Sequence, residues 1–459
     1  MSTPPQPSRQ TRLSVLAVCS LSVLIVQIDA TGINLALPSI ARELNASTGQ
    51  LQWVIDAYLV VLAALMIFSG SLGDRIGRRK VLMLGLSIFG IGSALCSLAT
   101  GPLMLVAMRA LQAVGGSMLA PVALSIIGNT FTDKRERAQA IGMWGAVMGI
   151  GMAMGPIVGG TLVDAVDWRA VFWINLPIVA LALLLVHKVV PESKGDDAGR
   201  MDVRGQLLVV AALGSLTFAI IEGGERGFDA APVWVAGVVA LLTGAWFVWT
   251  EKRVDNPLLD LKFFRSLPFS LATVIALLAF FAYAGFLFIS TLYLQNVRGL
   301  NPLHAGFATL PLALSNALLA PLSGWLVGRM GTRLPMLVAG GLVAASALML
   351  IQLADDTPLA WFLGASMLMG AGLGMINTPI TNTAVAGMPL SHAGVAGATA
   401  STARQLGQSL GVAVLGSMLN TGMQNKQPFI EAAHAGWWVL LAVALVIVAL
   451  AAATPAQKS

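Results

Sequence analysis

Three residues of this 459-residue chain carry charge where charge is costly. Asp29, Asp56 and Arg109 each stand inside a long apolar stretch. An acid and a base in such surroundings can neutralise one another, and an ionisable group there is a functional candidate by default. Two acids accompany one arginine, so one carboxylate is left over. A carboxyl group in a poorly hydrated site holds its proton more tightly, and a nearby arginine loosens that hold. Reversible proton binding near neutral pH is the chemistry these residue types offer.

The elements that position them follow from composition. The chain is 57% hydrophobic and 10% charged, with a mean hydropathy of +0.81. Soluble domains carry about 45–50% apolar and about 25% charged residues. So little charge excludes a soluble enzyme, a nucleic-acid-binding domain and a disordered scaffold, despite a net charge of +6. Apolar runs of spanning length cover 13–35, 51–72, 81–99, 103–127, 138–163, 171–190 and 205–221, then 233–250, 269–294, 303–327, 334–353, 359–380, 394–419 and 435–453. Lipid requires each backbone group to bond within its own segment, so these fourteen runs are read as helices of an all-α polytopic membrane protein. By helix rise Asp29 lies about 24 Å into the first span, across an apolar core of about 30 Å. Asp56 and Arg109 lie about 8 and 9 Å from the opposite face, at similar depth.

Lysine and arginine sort by side. With both termini cytoplasmic, 20 of the 27 fall in cytoplasmic segments, 5 fall outside, and Arg109 and Arg404 lie within spans. A missed helix would blur this asymmetry. Only Arg9 and Arg12 precede the first span, with no small-residue cleavage site, so that span is read as a retained anchor. Cys19 and Cys96 both sit in apolar runs, which argues against a disulfide framework or a metal site. His187, His304, His392 and His434 are scattered singly near loops, and none is read as a metal ligand.

An internal repeat sets the organisation. The stretch from Gly70 to Arg79 after the second span recurs as Gly324 to Arg333 after the tenth, with glycine, leucine, arginine, glycine and arginine at one offset. Gly328 replaces Asp74. Two parallel six-helix halves, 13–190 and 268–453, would place the copies equivalently, with 205–250 an inserted helix pair between the polar linkers 191–204 and 251–266. Such duplicated halves suit alternating access to a site near the midplane. Under the repeat offset Asp29, Asp56 and Arg109 correspond to Tyr283, Leu310 and Leu363, so charge is confined to the first half.

Six motifs in order carry a resemblance. Gly70-Ser-Leu72-Gly-Asp74-Arg75-Ile-Gly77-Arg78-Arg79 resembles the signature loop of the major facilitator superfamily. The run from Gly149 to Gly160, with Gly151, Gly155, Pro156 and Gly159, resembles its fifth-helix antiporter motif. Leu105-x-x-x-Arg109-x-x-Gln112 is similar to the fourth-helix motif, although Ala113 departs from it. Asp29-x-Thr31-x-x-Asn34-x-Ala36-Leu37-Pro38, Trp168-Arg169-x-x-Phe172-x-x-Asn175-x-Pro177 and Arg404-Gln405-x-Gly407 resemble patterns of its fourteen-helix drug:proton antiporter branch.

The resemblance implies a bacterial multidrug efflux transporter of the cytoplasmic membrane. It would be driven by the proton gradient, without cofactor, nucleic-acid partner or catalytic site, and would work as a monomer on lipophilic, cationic molecules. It implies a conformational latch at Gly70, Asp74, Arg75, Gly77 and Arg78, with Arg404 as a candidate partner of Asp74. Glycines every fourth residue permit close helix contact, and Pro156 adds a weak point for gating. Asp29 matches the family's first-helix acid and is the first choice for the proton carrier. Asp56, where the family has a small hydroxyl residue, is either a second acid or the partner of Arg109. A cation that competes with the proton for such a carboxylate completes an antiport cycle. Trp53, Tyr58, Trp144, Tyr283, Phe286 and Tyr293 could stack on flat cations. Glu222 and Glu225, at the mouth of the seventh span, are read as solvated. Other readings are a dedicated exporter of one metabolite or antibiotic and a non-transporting membrane sensor. An ATP-driven pump is excluded, because no phosphate-binding loop of glycines and lysine exists.

Overall fold

The computed structural model describes residues 8–195, 202–254, 257–354, 356–386 and 393–455. Parts of both linkers, 196–201 and 255–256, and His392 lie outside the described residues. Fourteen helical passes follow in order: α1 Arg9–Leu44, α2 Thr48–Ile76, α3 Arg78–Ser97, α4 Pro102–Thr130, α5 Lys134–Ala165 and α6 Ala170–Val189. After them come α7 Val203–Arg226, α8 Ala231–Glu251, α9 Leu267–Val297, α10 Pro302–Met330, α11 Arg333–Ile351, α12 Leu359–Ala386, α13 Ala393–Gln424 and α14 Phe429–Ala453. Successive passes reverse direction. The end that carries the first and last described residues and most lysines and arginines is called the basic end, and the other the distal end.

Local chemistry sets the boundaries. A capping box between Ser47 and Gln50 starts α2. Gly77, at φ +118°, turns the chain from α2 into α3, a conformation that favours glycine. Three passes are broken. α6 is kinked at Ile174, just before Asn175, and α10 at Thr309, just before Leu310-Pro311. α9 ends in a π-helical turn, Tyr293–Val297.

Thirteen of the fourteen passes are long and apolar enough to cross a bilayer. α13 is the exception by composition. Its 32 residues include Arg404, Gln405, Gln408, Asn420, Thr421 and Gln424, and much of that polarity is satisfied by other helices. α1 is longer than its expected span, because helix continues at both ends onto polar residues.

α1 packs along α5, α4 along α2 and α3, α9 along α13, and α12 along α10 and α11. The first six and last six helices meet at the distal end. A Cβ on Gly160 of α5 would strike the Pro302 carbonyl of α10, and one on Gly306 would lie 2.7 Å from the Pro156 carbonyl oxygen. Gln52 of α2 donates to Val412 O at 3.0 Å and Ala413 O at 2.9 Å on α13. Gln295 in the π turn of α9 donates to Leu35 O of α1 at 2.9 Å. Towards the basic end these helices part. Gly142, Gly145 and Gly149 of α5, Gly328 of α10 and Gly397 of α13 all face open space.

α7 lies over the seam between α2 and α13. Near its basic end Gln206 donates to Ala64 O of α2 at 2.8 Å. At its distal end the last-turn carbonyls, which a helix cannot bond internally, are taken up by α13. Asn420 Nδ2 and Thr421 Oγ1 donate to Gly224 O at 3.2 and 3.4 Å, and Gln424 Nε2 donates to Glu225 O at 3.0 Å.

Candidate functional site

Asp29 and Arg109 meet, as their similar depth implied. Arg109 Nη1 donates to Asp29 Oδ2 at 2.5 Å, and both side chains are buried inside the first six helices. Arg109 and Gln112, three residues apart on one face of α4, act together. Gln112 Nε2 donates to Asp29 Oδ1 at 2.9 Å, and its Oε1 accepts from Arg109 at 2.7 Å. Asn175, just beyond the kink in α6, donates to the same Asp29 oxygen at 2.8 Å. Ser93 of α3 accepts from Gln112 and Asn175 at 2.7 and 2.9 Å. Arg109 Nε donates to Val54 O of α2 at 3.2 Å, and its guanidinium lies 4.2 Å from the Tyr58 ring centroid. One network thus ties α1, α2, α3, α4 and α6. Each Asp29 oxygen is held by a donor of at least one of these helices.

Asp56 is therefore not the partner of Arg109. It is fully buried, and neither of its oxygens has a hydrogen-bond partner among the described residues. Ser409 Oγ of α13 is the polar group that faces it, outside hydrogen-bond geometry. Asp56 stands one turn below Gln52, so the uncompensated carboxyl sits on the distal seam between the two six-helix groups. Burying an unpaired carboxylate is expensive.

The signature loop closes on its own side. Asp74 accepts from Arg78 Nε at 2.9 Å, and its carbonyl accepts from Gly195 N at 2.9 Å. Arg78 N donates to Ser193 O at 2.8 Å, and Arg79 N to Glu192 Oε1 at 3.1 Å. Gly70 lies near Pro121 of α4, and Arg75 is exposed.

Arg404 is not joined to Asp74, and helix register explains why. α2 and α13 run antiparallel, with Gln52 opposite Val412 and Asp56 opposite Ser409. That register sets Arg404 level with Val61, about 20 Å short of Asp74 along the axis. Arg404 Nη2 instead donates to Thr381 Oγ1 of α12 at 2.8 Å.

In α5 the glycine face packs on α1. A Cβ on Gly151 would lie 2.9 Å from Gln27 Cβ, one on Gly155 would strike Thr31 Oγ1, and one on Gly159 would lie 2.5 Å from Gly32 O. Pro156, next to this face, is the residue whose carbonyl abuts Gly306 of α10. The motif thus borders the seam at its distal half, while Gly142, Gly145 and Gly149 of the basic half face open space.

The six aromatics do not form one wall. Tyr58 is buried against Arg109. Phe286 stacks on Phe362 at 6.0 Å and leans on Trp437, and Tyr293 packs on Phe362 at 5.1 Å, all within the last six helices. Tyr283 is buried edge-on to Phe280 at 6.2 Å. Trp53 meets Phe218 of α7 at 6.1 Å. Trp144, half-buried on the parted stretch of α5, keeps an unpartnered Nε1. Amphipathic rings suit core packing as well as ligand stacking, and most of these are consumed by packing. Glu222, expected to be solvated, is buried and paired with Arg226 at 2.5 Å.

Comparison with known proteins agrees with this architecture. The chain is 37% identical over 425 residues to the multidrug resistance protein Stp of Mycobacterium tuberculosis, covering 92% of this chain and 79% of that one. It is 36% identical to the multidrug efflux pump LfrA of Mycolicibacterium smegmatis, over 91% of this chain and 82% of that one. Identity to the tetracenomycin C resistance and export protein of Streptomyces glaucescens is 35%, over 91% and 78%. The fold resembles the crystal structure of a bacterial homolog of the human lysosomal transporter Spinster, solved inward-facing and unoccupied, with TM-score 0.66 over 98% of each chain at 18% identity. Residues 19–412 match the Major Facilitator Superfamily. Two six-helix groups joined at one end, the duplicated loop and a match across most of the length lead to one assignment: the chain belongs to the Major Facilitator Superfamily.

Proposed function

We propose that this protein exports lipophilic, cationic small molecules across the bacterial cytoplasmic membrane in exchange for protons. The moving bodies are 13–190 and 268–453, with 205–250 attached, and the basic end, with both termini, faces the cytoplasm. The conformation described here is then inward-open. Export is transport rather than catalysis, is driven by the proton gradient without cofactor, and needs one copy of the chain. The names of its relatives, efflux pumps and resistance proteins, support this reading.

The observation that carries it is the unpaired carboxyl of Asp56 on the seam between the bodies. A proton or a substrate cation that compensates this carboxyl would accompany closure of the distal side. Asp29 and Arg109, joined in one buried network, complete the coupling site. Asp74 with Arg75, Arg78, Gly70 and Gly77 forms the cytoplasmic latch, here disengaged from the second body. Gly151, Gly155 and Gly159 hold α5 against α1, and Pro156 brings α5 to the seam at Gly306.

The test is proton release from proteoliposomes on addition of tetraphenylphosphonium, for the wild type, Asp29→Asn and Asp56→Asn. Release by the wild type that disappears in Asp56→Asn supports the reading. A wild type that moves no protons with any lipophilic cation overturns it.

A further inference from the structure

α13 carries an arginine that no acid neutralises. Arg404 lies about 7 Å to the basic side of the midpoint of α13, on a pass buried among α2, α9 and α12. Among the described residues no carboxylate approaches within ion-pair distance. Its protein partner is Thr381 Oγ1, and its Nε is buried without a partner. On another side the Phe280 ring centroid lies 5.8 Å from the guanidinium, so an apolar surface screens it from water. Arg109 shows how this fold satisfies a buried arginine: it supplies a carboxylate, an amide oxygen and a backbone carbonyl. Among the described residues Arg404 has one hydroxyl for five N–H donors.

The latch does not account for it, because Asp74 lies too far along the helix axis. Solvation by the parted basic end accounts for its charge in this conformation, but not for its place between Thr381 and Phe280. A guanidinium held by one hydrogen bond beside an apolar ring presents its remaining donors as a fork, the geometry that binds a carboxylate with two parallel hydrogen bonds. Weak hydration on the Phe280 side strengthens such an interaction.

We propose that Arg404 is an anion-binding residue of the substrate path, which receives the carboxylate of an amphoteric aromatic substrate. The inference rests on the export reading above and narrows its substrate class, from cations in general to molecules that carry an anionic group as well. The helix register supports the pairing. Asp56 stands opposite Ser409 on the facing helix, so Arg404 is five residues, about 7.5 Å, nearer the basic end. The acid of the first body and the base of the second are thus offset by only about 7.5 Å along the membrane normal.

Two dyes isolate the anionic group. Rhodamine 110 carries a free carboxylate, and rhodamine 123 is its methyl ester. Binding of each to the purified full-length protein is followed by fluorescence anisotropy, without a proton gradient, for the wild type, Arg404→Gln and Arg404→Lys. The expected result is a shift of the ratio of the two Kd values against rhodamine 110 by about tenfold in Arg404→Gln. Arg404→Lys should recover part of the shift, since the charge returns without the fork. An unchanged ratio, or equal loss of both dyes, overturns the proposal, and the thermal midpoint of each variant reports whether the fold has suffered. Binding is independent of coupling, so the two readings fail separately. A ratio shift without gradient-driven transport in proteoliposomes would leave the anion site standing and remove the antiport.

Discussion

Arg109 and Asp29 form an ion pair at 2.5 Å, sealed among five helices, and no such pair exists for Asp56. Removing one member of a buried, hydrogen-bonded pair leaves the other uncompensated, at a cost of about 3–5 kcal/mol. Arg109→Met is therefore expected to lower the thermal midpoint of the purified protein sharply. The double variant Asp29→Asn/Arg109→Met should recover part of the loss. A double variant as unstable as the sum of the singles would show that the two residues do not act as a pair.

Asp56→Asn removes no ion pair and conserves shape, so its thermal midpoint should stay near that of the wild type. Its effect belongs to pH. Uptake and release of a proton at Asp56, as proposed above, would make the balance between the two arrangements depend on pH. In Asp56→Asn that dependence should flatten. Distances between nitroxides on Ile141 and Leu318, both exposed on the parted stretches of α5 and α10, measure the equilibrium at each pH. An unaltered pH profile in the variant would move the coupling proton elsewhere.

Gln52 donates twice across the same seam, to Val412 and Ala413. Gln52→Leu loses both bonds, worth about 1 kcal/mol each. The conformational ratio should move by at least about tenfold towards an open distal side. Reactivity of a Ser409→Cys probe with a water-soluble maleimide reads this directly, since Cys19 and Cys96 are buried. Slower labelling in Gln52→Leu would contradict the role of Gln52 as a clasp.

Asn420 and Gln424 complete the distal end of α7 from another helix. Asn420→Leu/Gln424→Leu should raise amide exchange in the last turn of α7 by about tenfold, for a loss of about 1–2 kcal/mol. Exchange in the first turn of α7, anchored by Gln206, should stay at the wild-type rate. Equal acceleration at both ends would mean that the whole helix pair is loosely attached.

Much of this arrangement was legible in residue order. Apolar run lengths and the lysine and arginine asymmetry located the passes, since lipid allows few alternatives. The rise of a helix put Asp29 and Arg109 at one depth, and the spacing of Arg109 and Gln112 put both on one face. Asn175 stood within a quoted motif without a role, because nothing in the chain marks the kink that aims it at Asp29. Ser93 gave no signal at all. The aromatics failed as a group for a physical reason: an amphipathic ring looks the same in the core, at the lipid and on a cavity wall. Arg404 was misassigned because charge complementarity with Asp74 says nothing of axial level, which only the pairing of α2 with α13 reveals.

α7 touches the first body through Gln206 and the second through the donors of Asn420, Thr421 and Gln424. The distal tip of α7 also meets the first body, where Trp53 packs on Phe218 and Gly49 faces Glu225. α7 therefore straddles the two six-helix groups at the end where they touch. Any separation of the distal ends has to break one set of these contacts, so the helix pair acts as a strap across that flank.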